Sequence, residues 1–170
     1  PLRAGNYSIF DGGTQVPFIV RWPGQVKSGV SPALISQVDL AASFDALTGQ
    51  KLNPVDVPDS ENVLPALLGK SEAGRASLVE YDQRKERALR TGDWKYVLAG
   101  TACDGMGPWT DVQISAPGFL FNLANDPGET NNLAKAHPEK VAIMAAQLSA
   151  ITNQSPSRVE ESIAPTGNED

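Results

Sequence analysis

Four side chains able to do chemistry stand close together at the start of the chain: Arg3, Asn6, Tyr7 and Asp11, the last followed by Gly12 and Gly13. Arg3, Asn6 and Tyr7 can each donate hydrogen bonds, Asn6 through a neutral amide. Asp11 can orient a cation or hold the glycine turn by accepting backbone N–H bonds, and the structural role is the expected one. Cys103 would need an adjacent base to act as a nucleophile. The only histidine, His137, directly precedes Pro138 and reads as a capping or surface residue. One Cys and one His do not make a zinc site. Asn125, Asp126 and Glu129 offer oxygens without calcium-loop spacing, so they are assigned to a turn and the approach to a helix. Arg84 and Arg87 belong to a charged stretch, 81–87, read as a solvated turn between two strands.

The elements that position these groups follow from periodicity. Gly12 and Gly13 allow positive φ or close backbone approach, and Val16–Trp22 has the β-branched and aromatic content of a short buried strand ended by Pro23-Gly24. A polar loop delivered by such a strand is where α/β enzymes place ligand contacts. Leu40, Phe44 and Leu47 recur at helical spacing over 38–47, with Gly49 as a left-handed cap, and predict an amphipathic helix packed on that strand. A second short helix is expected around Val63, Leu64, Leu67 and Leu68, capped by Asp59 or Ser60 and ended by Gly69. The polar stretch 70–76 marks a boundary. Beyond it, 77–81, 87–90, 94–98 and 119–123 predict an antiparallel meander, with Thr91-Gly92-Asp93 turning the central hairpin. Residues 99–118, including Cys103 and Trp109, read as a long loop. Asp126-Pro127-Gly128 suits a turn. Pro138 and Glu139 open a helix whose Val141, Met144, Ala145, Leu148 and Ile151 should cover the sheet, and 153–170 read as a flexible tail.

The 170 residues, 41% of them hydrophobic, can build one domain or a domain plus subdomain. A net charge of −6 with interspersed signs argues against nucleic acid as a partner. No window is apolar enough for a membrane span. A single cysteine allows no disulfide within the chain.

Four ordered stretches carry a resemblance: the opening run from Pro1 to Gly24; Ser36-Gln37-Val38-Asp39-Leu40; Ala88-Leu89-Arg90-Thr91-Gly92-Asp93-Trp94-Lys95-Tyr96; and Leu120 to Leu133. Over about residues 1 to 150 the chain resembles the C-terminal portion of type I sulfatases. The resemblance implies an alkaline phosphatase-like α/β fold, with 1–70 closing the large α/β/α domain and 75–152 forming an antiparallel sheet subdomain packed on a long helix. It implies hydrolysis of a sulfated carbohydrate or aryl sulfate, a calcium ion, and a formylglycine nucleophile, all but the substrate contacts lying outside this chain. The remainder of the sulfatase chain would be the partner, in a periplasmic or secreted setting. Asn6 falls where the family usually has a sulfate-contacting lysine, and Gln15 where an arginine is frequent. Arg3 and Tyr7 flank that site, and Arg84, Arg87 and Trp109 are candidates for sugar or aryl contacts. Ser155-Pro156-Ser157-Arg158 imitates the end of the nucleophile motif, but the convertible position holds Gln154, which cannot yield the aldehyde. A related phosphoesterase or phosphonate hydrolase, and a non-catalytic binding or structural domain, are the competing expectations.

Overall fold

A computed structural model describes residues 2–102 and 112–154. Among them a four-stranded antiparallel sheet is the centre: β1 (Leu78–Tyr81), β2 (Arg87–Thr91), β3 (Trp94–Val97) and β6 (Phe119–Asn122), hydrogen-bonded in the order β1-β2-β3-β6. The meander is the one expected. Thr91 pairs with Trp94, so Gly92 and Asp93 form a two-residue turn, and Gly92 takes the positive φ of 54° that such turns require. Residues expected as one long loop instead begin and end as a ribbon, β4 (Gly100–Ala102) paired with β5 (Val112–Ile114). Cys103 and Trp109 lie outside the described residues, as does 155–170.

The register assigns each side chain to a face. Glu80 pairs with Ala88, Ala88 with Val97, Arg90 with Lys95, and Lys95 with Phe121, so these share one surface. Leu89, Tyr96 and Leu120 share the other. Both faces are covered. On the second lies α4 (Pro138–Gln154), whose Val141, Met144 and Leu148 pack with Leu89, Tyr96, Leu120 and Ala134, as the three-and-four spacing predicts. Ile151, expected on the same face, lies in the last turn of the helix and is 40% exposed. On the first lies the start of the chain, where Ile9 and Phe10, both fully buried, pack with Ala88, Val97, Ile114, Phe121 and Leu123.

The first half departs from expectation at several points. Val16–Trp22 forms no strand and its apolar side chains are exposed, Ile19 at 87%. A strand needs a ladder partner, and every described strand is paired elsewhere. The helix at 38–47 exists as α2 (Asp39–Thr48), with Gly49 left-handed at φ 69°. It packs on α3 (Leu64–Leu67) rather than on a strand, which turns Asp39 and Ser43 inward and leaves Phe44 and Leu47 exposed. Ser43 Oγ accepts the Val63 N–H at 3.0 Å and Asp39 Oδ1 that of Glu61 at 3.0 Å. Ser60 does not cap α3. Its Oγ donates to Val38 O at 2.6 Å and accepts the Ala42 N–H at 2.9 Å, while Asn62 Oδ1 takes the Leu64 N–H at 3.1 Å. Gly69 ends that helix at φ 64° as expected.

Arg75 closes the first half. Its guanidinium pairs with buried Asp39 and, at 3.0 Å, with Glu61, and its N–H bonds Leu34 O at 2.7 Å. The approach to Leu34 is so close that a Cβ on Gly74 would fall 2.1 Å from Leu34 O.

Candidate functional site

The opening loop is held by a buried ionic node that the sequence does not announce. Lys95 points from the middle of β3 towards the chain start and is fully buried. Its ammonium donates to Asp11 Oδ1 at 2.7 Å and lies 2.9 Å from Glu80 Oε2 and 3.2 Å from Glu129 Oε1. Arg90 stands 3.8 Å from the other Asp11 oxygen. Three carboxylates therefore face two cations, and the surplus negative charge is out of water. Burial by itself would lower the Lys95 pKa, but Glu80, Glu129 and Asp11 outweigh it and hold the ammonium above its ordinary 10.5. Burial pushes the Glu129 carboxyl above its ordinary range, and the Asp11 charge adds to the rise against the opposing pull of Lys95 and the Asp11 N–H.

Glu129 ties three segments together. Its Oε2 accepts the Asp11 N–H at 2.7 Å, its carbonyl accepts Arg3 Nη1 at 3.0 Å, and its own N–H closes the turn on Asp126 O at 3.1 Å. It does this at φ 50°, where a non-glycine residue is strained. Above it, α1 (Asp11–Thr14) carries the glycine pair. Gly12 N–H bonds Arg3 O at 2.9 Å, and a Cβ would come within 2.3 Å of Arg3 O at Gly12 and of Ser8 O at Gly13. Close approach, not positive φ, is what the glycines supply here. Asp11 meets the first of its two expected roles by orienting a cation, Lys95; the turn is held not by its carboxylate accepting backbone N–H groups but by its own N–H donating to Glu129 Oε2.

Between these anchors Ala4 and Gly5 are half-buried and Ser8 is buried, and only Asn6 and Tyr7 stand exposed, at the apex. Tyr7 sits at φ 72°; its N–H bonds Asn6 Oδ1 at 3.1 Å and its carbonyl accepts the Gln83 N–H at 3.3 Å. The apex thus rests against the β1–β2 turn, which carries exposed Arg84 and is braced by Asp82 Oδ1 accepting the Arg84 and Glu86 N–H groups at 2.8 and 2.9 Å. The structure brings Asn6, Tyr7 and the Arg84 turn together. It turns Arg3 inward, its guanidinium 3.7 Å over the Phe10 ring, and puts Arg87 on the α4 face by register. A shallow cavity of about 500 Å³ lies elsewhere, beside the start of α4, lined by Trp94, Asn122, Asp126, Thr130 and His137. His137 is exposed, meets the Trp94 ring edge-on at 5.5 Å and accepts the Val141 N–H on its carbonyl at 3.1 Å, in keeping with its reading as a capping or surface residue.

The sequence reading missed Lys95 and Glu80, and it placed Glu129 in its turn without its part in the ionic node. The signal for Lys95 was parity: it alternates with Trp94 and Tyr96 and shares its face with Val97, so a sheet covered on both sides must bury it. Among the described residues no group of three or more His, Cys, Asp or Glu side chains fits a metal ion. The carboxylate trio at Lys95 already holds an ammonium.

The raised Glu129 pKa fixes the sign of a pH effect. Between the ordinary glutamate value of 4.5 and the higher folded value, the folded chain binds a proton the unfolded chain does not. Stability therefore rises as pH falls through that window and is lower above it. Urea unfolding from about pH 8 down to about pH 5 should show this gain in the wild type and a flatter profile in Glu129→Gln, which cannot take up the proton. Equal slopes would contradict it.

No family model matches the chain. It is 38% identical over 151 residues to the N-acetylgalactosamine-6-O-sulfatase of Bacteroides thetaiotaomicron, covering 88% of this chain and 29% of that one. Human arylsulfatase A is 32% identical over 184 residues, covering 93% and 36%. A solved structure from a study of glycosaminoglycan metabolism by Bacteroides thetaiotaomicron superposes with a TM-score of 0.81 at 37% identity, covering 90% of this chain and 32% of that one. A sulfatase from Pseudoalteromonas gives a TM-score of 0.77 at 21% identity, which speaks for the fold alone. The chain spans about a third of the length of the relatives it matches.

Proposed function

We propose that this chain, a homologue of the C-terminal portion of the sulfatases, serves as that portion of a sulfuric ester hydrolase acting on a sulfated carbohydrate or aryl sulfate. The observation that carries the reading is the 38% identity over nearly the whole chain to an N-acetylgalactosamine-6-O-sulfatase, together with a matching fold. In this reading the apex of Asn6 and Tyr7, backed by the Arg84 turn, faces the substrate, and Asn6 supplies a neutral amide donor to the sulfate. A neutral donor binds an anion more weakly than an ammonium does. Arg3, turned onto Phe10, and Arg87, on the α4 face, take no substrate role in this reading, while Trp109, outside the described residues, remains a candidate for a sugar or aryl contact.

The exposed apolar run supports the same reading. Val16, Phe18, Ile19, Val20 and Trp22 have the composition of a buried strand yet face solvent, as do Val38, Phe44 and Leu47 of the neighbouring helix region. Apolar exposure concentrated in this way marks a contact with further polypeptide, in this reading the remainder of the α/β domain. Calcium and formylglycine, which the resemblance implies outside this chain, are assigned in this reading to that remainder.

The reading is tested by assaying an aryl sulfate with the purified 170-residue chain in calcium and with the intact protein. Turnover is expected from the intact protein and none from the chain alone. Calcium-dependent turnover by the chain alone would overturn the division of labour, and an intact protein inert towards every sulfate ester would favour a binding or structural role.

A further inference from the structure

We infer that Lys95 and Asp11 are positioning residues for the Asn6–Tyr7 apex: the buried ion pair fixes the glycine turn, and the turn fixes where the apex stands. Only the substrate-facing consequence rests on the reading above.

Three observations converge on this. Asp11 is the one residue of the opening loop whose side chain enters the node, bonding Lys95 at 2.7 Å while its own N–H bonds Glu129 at 2.7 Å. The residues after it admit no slack, because Gly12 and Gly13 lie directly against the carbonyls of Arg3 and Ser8, and Gly12 N–H closes the loop on Arg3 O. A displacement of Asp11 therefore passes to residues 3–8 as a rigid shift. Finally, three non-glycine residues are held at positive φ on this path, Glu129 at 50°, Ala4 at 58° and Tyr7 at 72°. Such conformations persist only where the surroundings over-determine them. A turn at Glu129 would be met at less strain by Gly or Asn, neither of which could reach both Asp11 N–H and the Lys95 ammonium. The strain is spent on connecting the sheet to the apex.

The role of the pair is distinct from plain stability, and amide exchange separates the two. Asp11→Ala leaves Lys95 with Glu80 and Glu129, so the sheet keeps a paired cation and should fold. In that variant the Ser8, Gly12 and Gln83 amides should exchange roughly tenfold faster or more, while the Leu89, Tyr96 and Leu120 amides of the central strands change by less than about twofold. Asp11→Glu, which keeps the carboxylate, should restore most of the protection. In the intact sulfatase Asp11→Ala should lower kcat/KM for an aryl sulfate by about 10- to 100-fold through misplacement of the apex, with Asp11→Glu recovering much of it. Acceleration spread evenly over loop and strands, or no acceleration in the loop, overturns the proposal. Loop release in a protein without sulfatase activity upholds the positioning and removes only the substrate assignment.

Discussion

Lys95→Met is expected to lower folding stability by about 3–5 kcal/mol, because it strands buried carboxylates without their cation. The lost attraction is not the main term. Glu129 is fully buried and Glu80 and Asp11 nearly so, and each must then protonate or admit water. Arg90 cannot replace the ammonium, since it reaches only Asp11, at 3.8 Å. Urea titration followed by far-UV circular dichroism would read the loss. Charge, not packing, is the cause assigned here, and a double variant checks it: Lys95→Met with Glu129→Leu should lose less than Lys95→Met alone, because one stranded charge is gone. Losses that simply add would contradict the account.

The second large effect is at the other buried pair. Arg75→Met is expected to cost about 3 kcal/mol, the low end for breaking a buried pair. Asp39 keeps the N–H groups of Ser36 at 2.8 Å and Glu61 at 3.0 Å, so part of its charge remains met. The same variant also drops the Arg75 bonds to Asp59 O at 3.1 Å and Ser77 O at 3.2 Å. Since Asp39 is fully buried, the loss should change little between low and moderate salt, whereas a surface pair would be screened. A loss under about 1 kcal/mol, or one abolished by salt, would mark the pair as an ordinary surface bridge.

These two nodes explain which parts of the molecule were legible in the sequence. Local chemistry was readable wherever one element decides its own conformation. The Gly92 turn, the left-handed Gly49 and Gly69 caps, the Asp126–Gly128 turn and the apolar stripe of α4 all depend on neighbours within a few residues. Val16–Trp22 was misread because a strand is a property of two segments, and its partner is not among the described strands. The inward face of α2 was misread for a related reason. Asp39 and Ser43 face in because backbone donors at Glu61 and Val63 await them, and apolar Phe44 and Leu47 then face out. Lys95 escaped notice because a lysine in a strand ordinarily marks a solvated face, and the sequence reading gave the meander only one covering layer. The second layer comes from residues near the chain start, far away in sequence. At the candidate site, Asn6, Tyr7 and the Arg84 turn are legible as separate possibilities, and so is a cation on Asp11, whereas the turn is tied by the Asp11 N–H rather than by its carboxylate. Their assembly into one apex depends on the long-range bond from Gln83 N–H to Tyr7 O, which no local pattern encodes.

One measurement bears most directly on the claim that this apex serves a sulfate ester: kcat/KM of the intact protein for an aryl sulfate compared with the matching aryl phosphate. The account predicts a clear preference for the sulfate. A preference for the phosphate would contradict it and assign the chain to a phosphoesterase instead.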